Sequence, residues 1–457
     1  MKDLGRLTDK FAGEVVRPSD PGYDAARVVW NGMIDRYPAL IVRPTTTEDV
    51  SMAIRFARER ELTLAVRCGG HSIPGFSTCD DGIVIDLSRM RGARVDPQAR
   101  VARVGGGALL GELDDAAQQH GLVCPVGVVS HTGVGGLTLG GGMGRLQRRF
   151  GLTIDNLVAV DLVTASGQLV HASADEQPEL FWGLRGAGAN FGVATAFEFR
   201  LQRLEGSVTH GVVMHPAERA EDLAERYREL VVDGSDAVWA SFGVGLALPA
   251  EDYPPELAGN PVTYVAVLHS GPADDAERDL TALRGLTGAA IDSIETKPYL
   301  TTQRLSDDAT AWGHRFSMRS NFLNSLPDGV VSGWTERAAA IPRGASGGYS
   351  VWSCGGAMAA VRDEDTAFTG RDARFWASAE IQWDELELDD ACRAWGRSAL
   401  DEAQPYESAG RYVNDVAEVG RDLARTIYGD DKYERLRALK REWDPDNVFR
   451  LNQNIRP

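Results

Sequence analysis

Cysteine is scarce in this chain and carries no pattern: Cys68, Cys79, Cys124, Cys354 and Cys392 are odd in number, scattered and without a CxxC pair. That argues against a disulfide framework and against a metal site of the zinc type, and it fits a reducing compartment. Long apolar runs are also missing. None reaches the roughly 18 residues of a membrane span, and Met1-Lys2-Asp3-Leu4-Gly5 lacks the apolar core of a secretory signal. A soluble, cytoplasmic protein without a membrane partner is expected. Positive charge is the third deficit. Lys and Arg number 48 against 66 Asp and Glu, a formal net charge of -18, which is the wrong sign for binding nucleic acid or an anionic membrane. GxxxxGK[ST] and HExxH are absent, so P-loop phosphoryl transfer and zinc proteolysis lose their usual support.

Glycine, by contrast, is abundant and unevenly placed, with dense clusters at residues 104 to 111, 127 to 144 and 183 to 192. Backbone in the N-terminal half must therefore approach something closely. A chain of 457 residues exceeds one ordinary core, so two domains are expected. Short apolar runs at Gly82 to Leu87, Leu157 to Leu162 and Thr195 to Leu201 read as strands; Thr47 to Arg60 and Leu109 to His120 read as helices. From about residue 206 alternating segments, Val262 to Leu268, Gly348 to Ser353 and Phe375 to Trp383, are separated by helix-like stretches. This texture predicts an antiparallel sheet in a second domain. Lys432 to Trp443 reads as a helix stopped by Asp444-Pro445-Asp446-Asn447.

The most informative stretch is Arg67-Cys68-Gly69-Gly70-His71-Ser72, directly after the apolar run Leu62 to Val66. A strand that ends in Gly-Gly exposes successive backbone N–H groups, a geometry suited to a phosphate, with His71 beside whatever is held. Gly186-Ala187-Gly188-Ala189-Asn190-Phe191-Gly192 follows a helix-like segment and precedes a strand, the reverse of a dinucleotide fingerprint, so that reading is rejected. Gly-rich loops without a Rossmann fingerprint point to a large cofactor held mainly by backbone.

Here a resemblance becomes specific. Arg67 to His71, Gly127-Val128-Val129-Ser130-His131-Thr132-Gly133-Val134-Gly135-Gly136, Gly140 to Gly144, Gly151-Leu152-Thr153-Ile154-Asp155-Asn156, Leu184 to Gly188 and Asn447 to Ile455 resemble the berberine-bridge-enzyme-like branch of the vanillyl-alcohol-oxidase superfamily, with a bacterial character. The resemblance implies an α+β fold. A two-lobed FAD-binding domain would comprise residues 1–205 and a C-terminal return at 412–457, with a substrate domain at 206–411 built on an antiparallel sheet covered by helices. It implies FAD attached covalently through His71. Arg67, Cys68, Gly69, Gly70, Ser72, Val129, Thr132, Gly133, Gly135, Gly136, Gly141, Gly142, Gly144, Leu152, Asp155, Asn156, Gly192, Val193, Asn452 and Asn454 would contact the cofactor. Many members carry a second flavin bond from a cysteine where this chain has Val129, which cannot form it; Cys124 reads as a small buried hydrophobe, so a single attachment is expected.

Thr132 stands where the family controls oxygen access, and a short branched residue implies dioxygen as acceptor, with hydrogen peroxide as product. Tyr412-Val413-Asn414 matches the family's Tyr-x-Asn element, whose Tyr takes the substrate hydroxyl proton; a nicotine-oxidising relative lacks it, which tilts the expected substrate toward an alcohol such as a sugar or a secondary metabolite. A carboxylate base known in the family falls at Ser378 by ungapped count, with Glu380 two residues on and on the same strand face. Glu380, Ser378 and Trp352 are therefore candidates for the substrate pocket alongside Tyr412. Amine or alkaloid oxidation, and a flavin-binding redox protein without turnover, remain the alternatives. The expected partners are a small-molecule substrate and dioxygen, in a monomer or homodimer.

Overall fold

Period-two alternation sorts the strand residues of this chain onto two faces, and helices close whichever face is apolar. The computed structural model describes residues 10–232, 234–247, 254, 257–420 and 422–457. The first sheet runs, edge to edge, Glu14–Val16, Leu40–Arg43, Ile83–Asp86, Leu64–Arg67, antiparallel at the first pairing and parallel at the others. Its parallel strands are apolar on both faces, as crossover connections require. Helix Thr47–Glu59 covers one face. It starts at a reciprocal cap in which Thr46 accepts from the Asp49 amide and Asp49 returns to the Thr46 backbone. Leu40, Val42, Ile54, Leu64 and Ile85 form the core there, together with Phe449 from the C-terminal tail.

The second sheet is antiparallel: Ala93–Asp96, Val101–Gly105, Gly192–Arg200, Leu157–Thr164, Leu169–Ser173. Gly192–Arg200 follows helix Pro178–Leu184, the order that excluded a Rossmann loop. The largest sheet has eight strands, all antiparallel, drawn from residues 207–383. Phe375–Trp383 shows why its two faces differ. Phe375, Ala377 and Ala379 pack under helices Ala220–Val232 and Asp328–Ala338, whereas Trp376, Ser378 and Glu380 point the other way. Tyr349 and Val351 likewise join the helix-side core, while Trp352 and, on strand Arg315–Leu323 beyond Phe375–Trp383, Phe316 and Met318 join the opposite one.

The C-terminal helix Leu423–Trp443 begins nine residues earlier than the apolar pattern predicts and breaks at Gly429, whose φ of 72° is left-handed. The early turns lack a clean amphipathic stripe, so only the part after the break was legible. Past it, Lys440 and Asp444 form a fully buried pair at 2.7 Å, and the ammonium also donates to the carbonyls of Asn190 and Phe449 at 2.8 Å. That cluster fastens the tail to the N-terminal half. The five cysteines are all unpaired, and Cys124 is buried in the core as a small hydrophobe. Among the described residues no helix is long and apolar enough to cross a membrane, and no cluster of metal-ligating side chains is present.

Candidate active site

Leu64–Arg67 ends by placing Arg67 against Asp86, with Nη2 2.7 Å from the carboxylate and Nη1 donating to the Val28 carbonyl at 3.1 Å. This ion pair anchors the start of the loop that follows. Gly69 then packs on Gly133, backbone to backbone: a Cβ on Gly69 would sit 2.2 Å from the Gly133 nitrogen, and one on Gly133 would sit 2.3 Å from the Gly69 nitrogen. Only glycine at both positions lets the two loops touch. Among the described residues, the amides of Gly70, His71 and Ser72 donate to no acceptor of the chain. They are the donors that an anion at this strand end would use.

These loops line a cavity of about 520 Å³ that runs from Cys68, Gly69, Gly70, His71 and Ser72 past Val129, Thr132, Gly133 and Gly136 to the inner face of the large sheet. A Cβ on Gly136 would meet nothing within 4 Å, so the cavity continues where a side chain would stand. The C-terminal tail supplies another wall, including Asn452, whose buried Oδ1 has no partner in the chain. An open cradle, unused amides and an orphaned amide oxygen match the needs of a long cofactor with a pyrophosphate, as FAD has.

His71 lies in the cavity wall, stacked on Trp30 with centroids 5.1 Å apart and the edge of Trp312 at 6.1 Å. Its Nε2 is 2.8 Å from Nδ1 of His131, a contact that leaves the His71 Nδ1 without a partner among the described residues. Burial first, and the neighbouring His131 second, pull its pKa down to about 3, so the ring is neutral and nucleophilic at physiological pH. The neighbouring Ser130 donates its amide and hydroxyl to the Asp307 carboxylate at 2.8 and 2.5 Å, and Trp30 Nε1 donates to the Thr310 carbonyl at 2.7 Å. Residues of the central region thus clasp the histidine pair.

Across the cavity, Tyr412 is buried and its hydroxyl oxygen accepts three N–H groups: Gly142 at 3.2 Å, Met143 at 3.3 Å and Asn414 Nδ2 at 3.0 Å. Burial, then the nearby Asp415, push its pKa up, and the three donors oppose them. Glu380 and Asp415 line the same wall. Burial raises the Glu380 pKa against a 2.7 Å hydrogen bond from Ser378 Oγ. Asp415 is pushed well above the usual carboxylate range by burial and then by the charge of Glu380. Trp352 and Trp376 complete the wall at 4.8 Å between centroids.

The structure therefore gathers His71, Cys68 to Ser72, Val129, Thr132, Gly133, Gly136, Asn452, Trp352, Glu380 and Tyr412 around one cavity, with Ser378 just behind Glu380. Several residues expected at the cofactor do not line this cavity and are engaged by protein neighbours. Asp155 is taken up by Arg371 at 2.7 Å, Asn156 donates to the carbonyls of Phe150 and Leu152, and Leu152 and Val193 are core. Gly141, Gly142, Gly144 and Gly192 are instead hemmed in by Phe368, Thr153, Val126 and Val163. Arg67, Gly135 and Asn454 also lie off the cavity wall; Arg67 is taken up by Asp86, whereas the buried Asn454 Oδ1, like that of Asn452, has no partner in the chain. Sequence reasoning missed Asp415, Trp30 and the pairing role of His131. Asp415 adjoins the Tyr-x-Asn element and was within reach; Trp30 has no local signal.

Known proteins are similar to this chain in sequence and in fold. Residues 38–173 match the family model described as FAD binding domain, and residues 411–456 match the one described as Berberine and berberine like. The chain is 33% identical to (R)-6-hydroxynicotine oxidase of Paenarthrobacter nicotinovorans, over 97% of each chain. The crystal structure of 6-hydroxy-D-nicotine oxidase from Arthrobacter nicotinovorans superposes with a TM-score of 0.87 at 31% identity, covering 98% of both chains. Glucooligosaccharide oxidase from Acremonium strictum, at 21% identity and a TM-score of 0.86 over 99% and 98% of the two chains, shares the fold.

Proposed function

The chain belongs to the berberine-bridge-enzyme-like FAD-linked oxidoreductases, and from that membership we propose that it oxidises a small molecule at a C–H bond beside a hydroxyl, with Tyr412 taking the hydroxyl proton. FAD, when bound, supplies the hydride acceptor and passes the electrons to dioxygen, giving hydrogen peroxide. The observation that carries the reading is the set of three N–H donors on the Tyr412 oxygen. A neutral phenol oxygen keeps its own proton and accepts about two hydrogen bonds; three donors at 3.0 to 3.3 Å favour the phenolate, the form a base must reach.

His71 is the attachment point in this reading, supported by its neutral ring and its free Nδ1. The FAD of the Acremonium strictum glucooligosaccharide oxidase is both cysteinyl and histidyl. Val129 in the cavity wall of this chain has no thiol to offer and Cys124 is buried in the core, so the attachment here is single. Thr132 lines the cavity as the residue that admits oxygen. The division of labour follows the chain: residues 1–205 and 412–457 hold the cofactor, and 206–411 present the substrate wall. The test is anaerobic bleaching of the flavin band against sugars, secondary alcohols and heterocyclic amines. Bleaching by alcohols supports the reading; bleaching by amines alone would replace it with amine oxidation, and no bleaching by any of them would leave a flavin-binding protein without turnover.

A further inference from the structure

The cavity wall has a lopsided charge inventory. Among the residues that line it there is no Lys and no Arg, yet two carboxyl groups, Glu380 and Asp415, line it, and Asp415 lies close enough to feel the charge of Glu380. Glu380 receives one hydrogen bond, from Ser378. Asp415 Oδ2 is buried with no well-formed hydrogen bond, and the nearby Trp376 indole N–H is the neutral donor that favours its ionised form. Two buried carboxyls lacking a cation are costly to ionise, and nothing in the packing requires them: the alternating residues of the same strand show that this face accepts Trp376 as readily. What the pair lacks is a positive partner, and the space in front of it is where substrate enters. The aromatic faces of Trp352 and Trp376 border the same space, which adds a surface that attracts cations.

We propose that the Glu380–Asp415 pair recognises a basic nitrogen carried by the substrate, so that the molecule oxidised is an alcohol bearing an amine, an amino sugar or amino alcohol in chemical class. The amine enters as an ammonium ion and the pair meets it as carboxylate, with the proton held by the empty pair passing to solvent. A neutral alcohol of the same shape lacks this ion pair and binds weakly.

The inference rests on the oxidase reading for its setting, and three probes keep the two apart: trans-2-aminocyclohexanol, cyclohexanol and cyclohexylamine, each titrated anaerobically into the FAD-loaded protein. Binding is read from the perturbation of the flavin band and oxidation from its bleaching. Both amines should bind about tenfold or more tighter than cyclohexanol. In the near-isosteric double variant Glu380→Gln/Asp415→Asn that preference should disappear while FAD content is kept. Equal binding of cyclohexanol and trans-2-aminocyclohexanol by the wild type, no response to either amine, or a preference that survives the double substitution would each overturn the proposal. If cyclohexylamine binds and also bleaches the flavin, the pair keeps its role and the hydroxyl-oxidation reading fails instead.

Discussion

Replacing Tyr412 by Phe removes one oxygen atom and keeps the ring against Phe368, so its consequences divide cleanly into two magnitudes. The oxygen accepts from two backbone amides and one side-chain amide, at 3.0 to 3.3 Å. Asn414 retains a bond to the Leu137 carbonyl at 3.1 Å, so its loss is partial, whereas the Gly142 and Met143 amides lose this acceptor. A buried unsatisfied donor costs about 1 to 3 kcal/mol, and with bonds this long the low end applies, giving a destabilisation on the order of 2 kcal/mol. General-base catalysis contributes about a hundredfold to ten-thousandfold, or about 2.7 to 5.5 kcal/mol. The rate effect is thus the larger one, and it is separable, because flavin reduction in rapid anaerobic mixing is counted per bound flavin and a modest loss of stability does not enter. The expected result is a fall in the reduction rate of two orders of magnitude or more at unchanged FAD content. Since the Tyr412 pKa is raised, the wild-type rate with a neutral alcohol should climb as pH rises above neutrality, and the variant should lose that climb. A fall of less than about threefold would remove Tyr412 from the base role.

Acid precipitation should leave the wild-type pellet yellow, and His71→Ala should release its flavin to the supernatant; a colourless wild-type pellet defeats the covalent assignment. Thr132→Leu narrows the cavity beside Gly133 and should slow reoxidation by dioxygen in stopped flow while sparing reduction by substrate, and an unaltered reoxidation rate takes Thr132 off the oxygen path. Arg371 is fully buried and holds Asp155 at 2.7 and 3.1 Å, so Arg371→Leu strands a charge and should destabilise by about 3 to 5 kcal/mol in denaturant unfolding. A loss under about 1 kcal/mol would mean that Asp155 finds another partner or a proton.

What was legible in the sequence follows from how local each signal is. The strand that ends in Cys68-Gly69-Gly70-His71 announced itself because apolar run, glycines and imidazole are contiguous. The period-two pattern of Phe375 to Trp383 placed Ser378 and Glu380 on one face, where a 2.7 Å hydrogen bond joins them. Asp155, Asn156 and Gly142 show the opposite case, each being engaged by a protein neighbour. They sit in glycine-rich motifs, and the motif alone does not say whether a tight turn serves a ligand or a neighbouring side chain such as Arg371 or Thr153. Asp415 and Trp30 draw their meaning from partners far away in the chain, Glu380 for the one and His71 for the other. Proximity to a motif could have flagged Asp415, but only the fold brings either residue to its partner.

The cavity is walled by residues from both extremes of the sequence: Cys68 to Ser72 early, Tyr412 to Val416 and Asn452 late, with the buried Lys440–Asp444 pair fastening the last segment down. On a ribosome the first wall is therefore finished long before the second exists. The complete cavity exists only once the final stretch has been translated, and before that the His71 loop lines a shelf that lacks the Tyr412 and Asn452 wall.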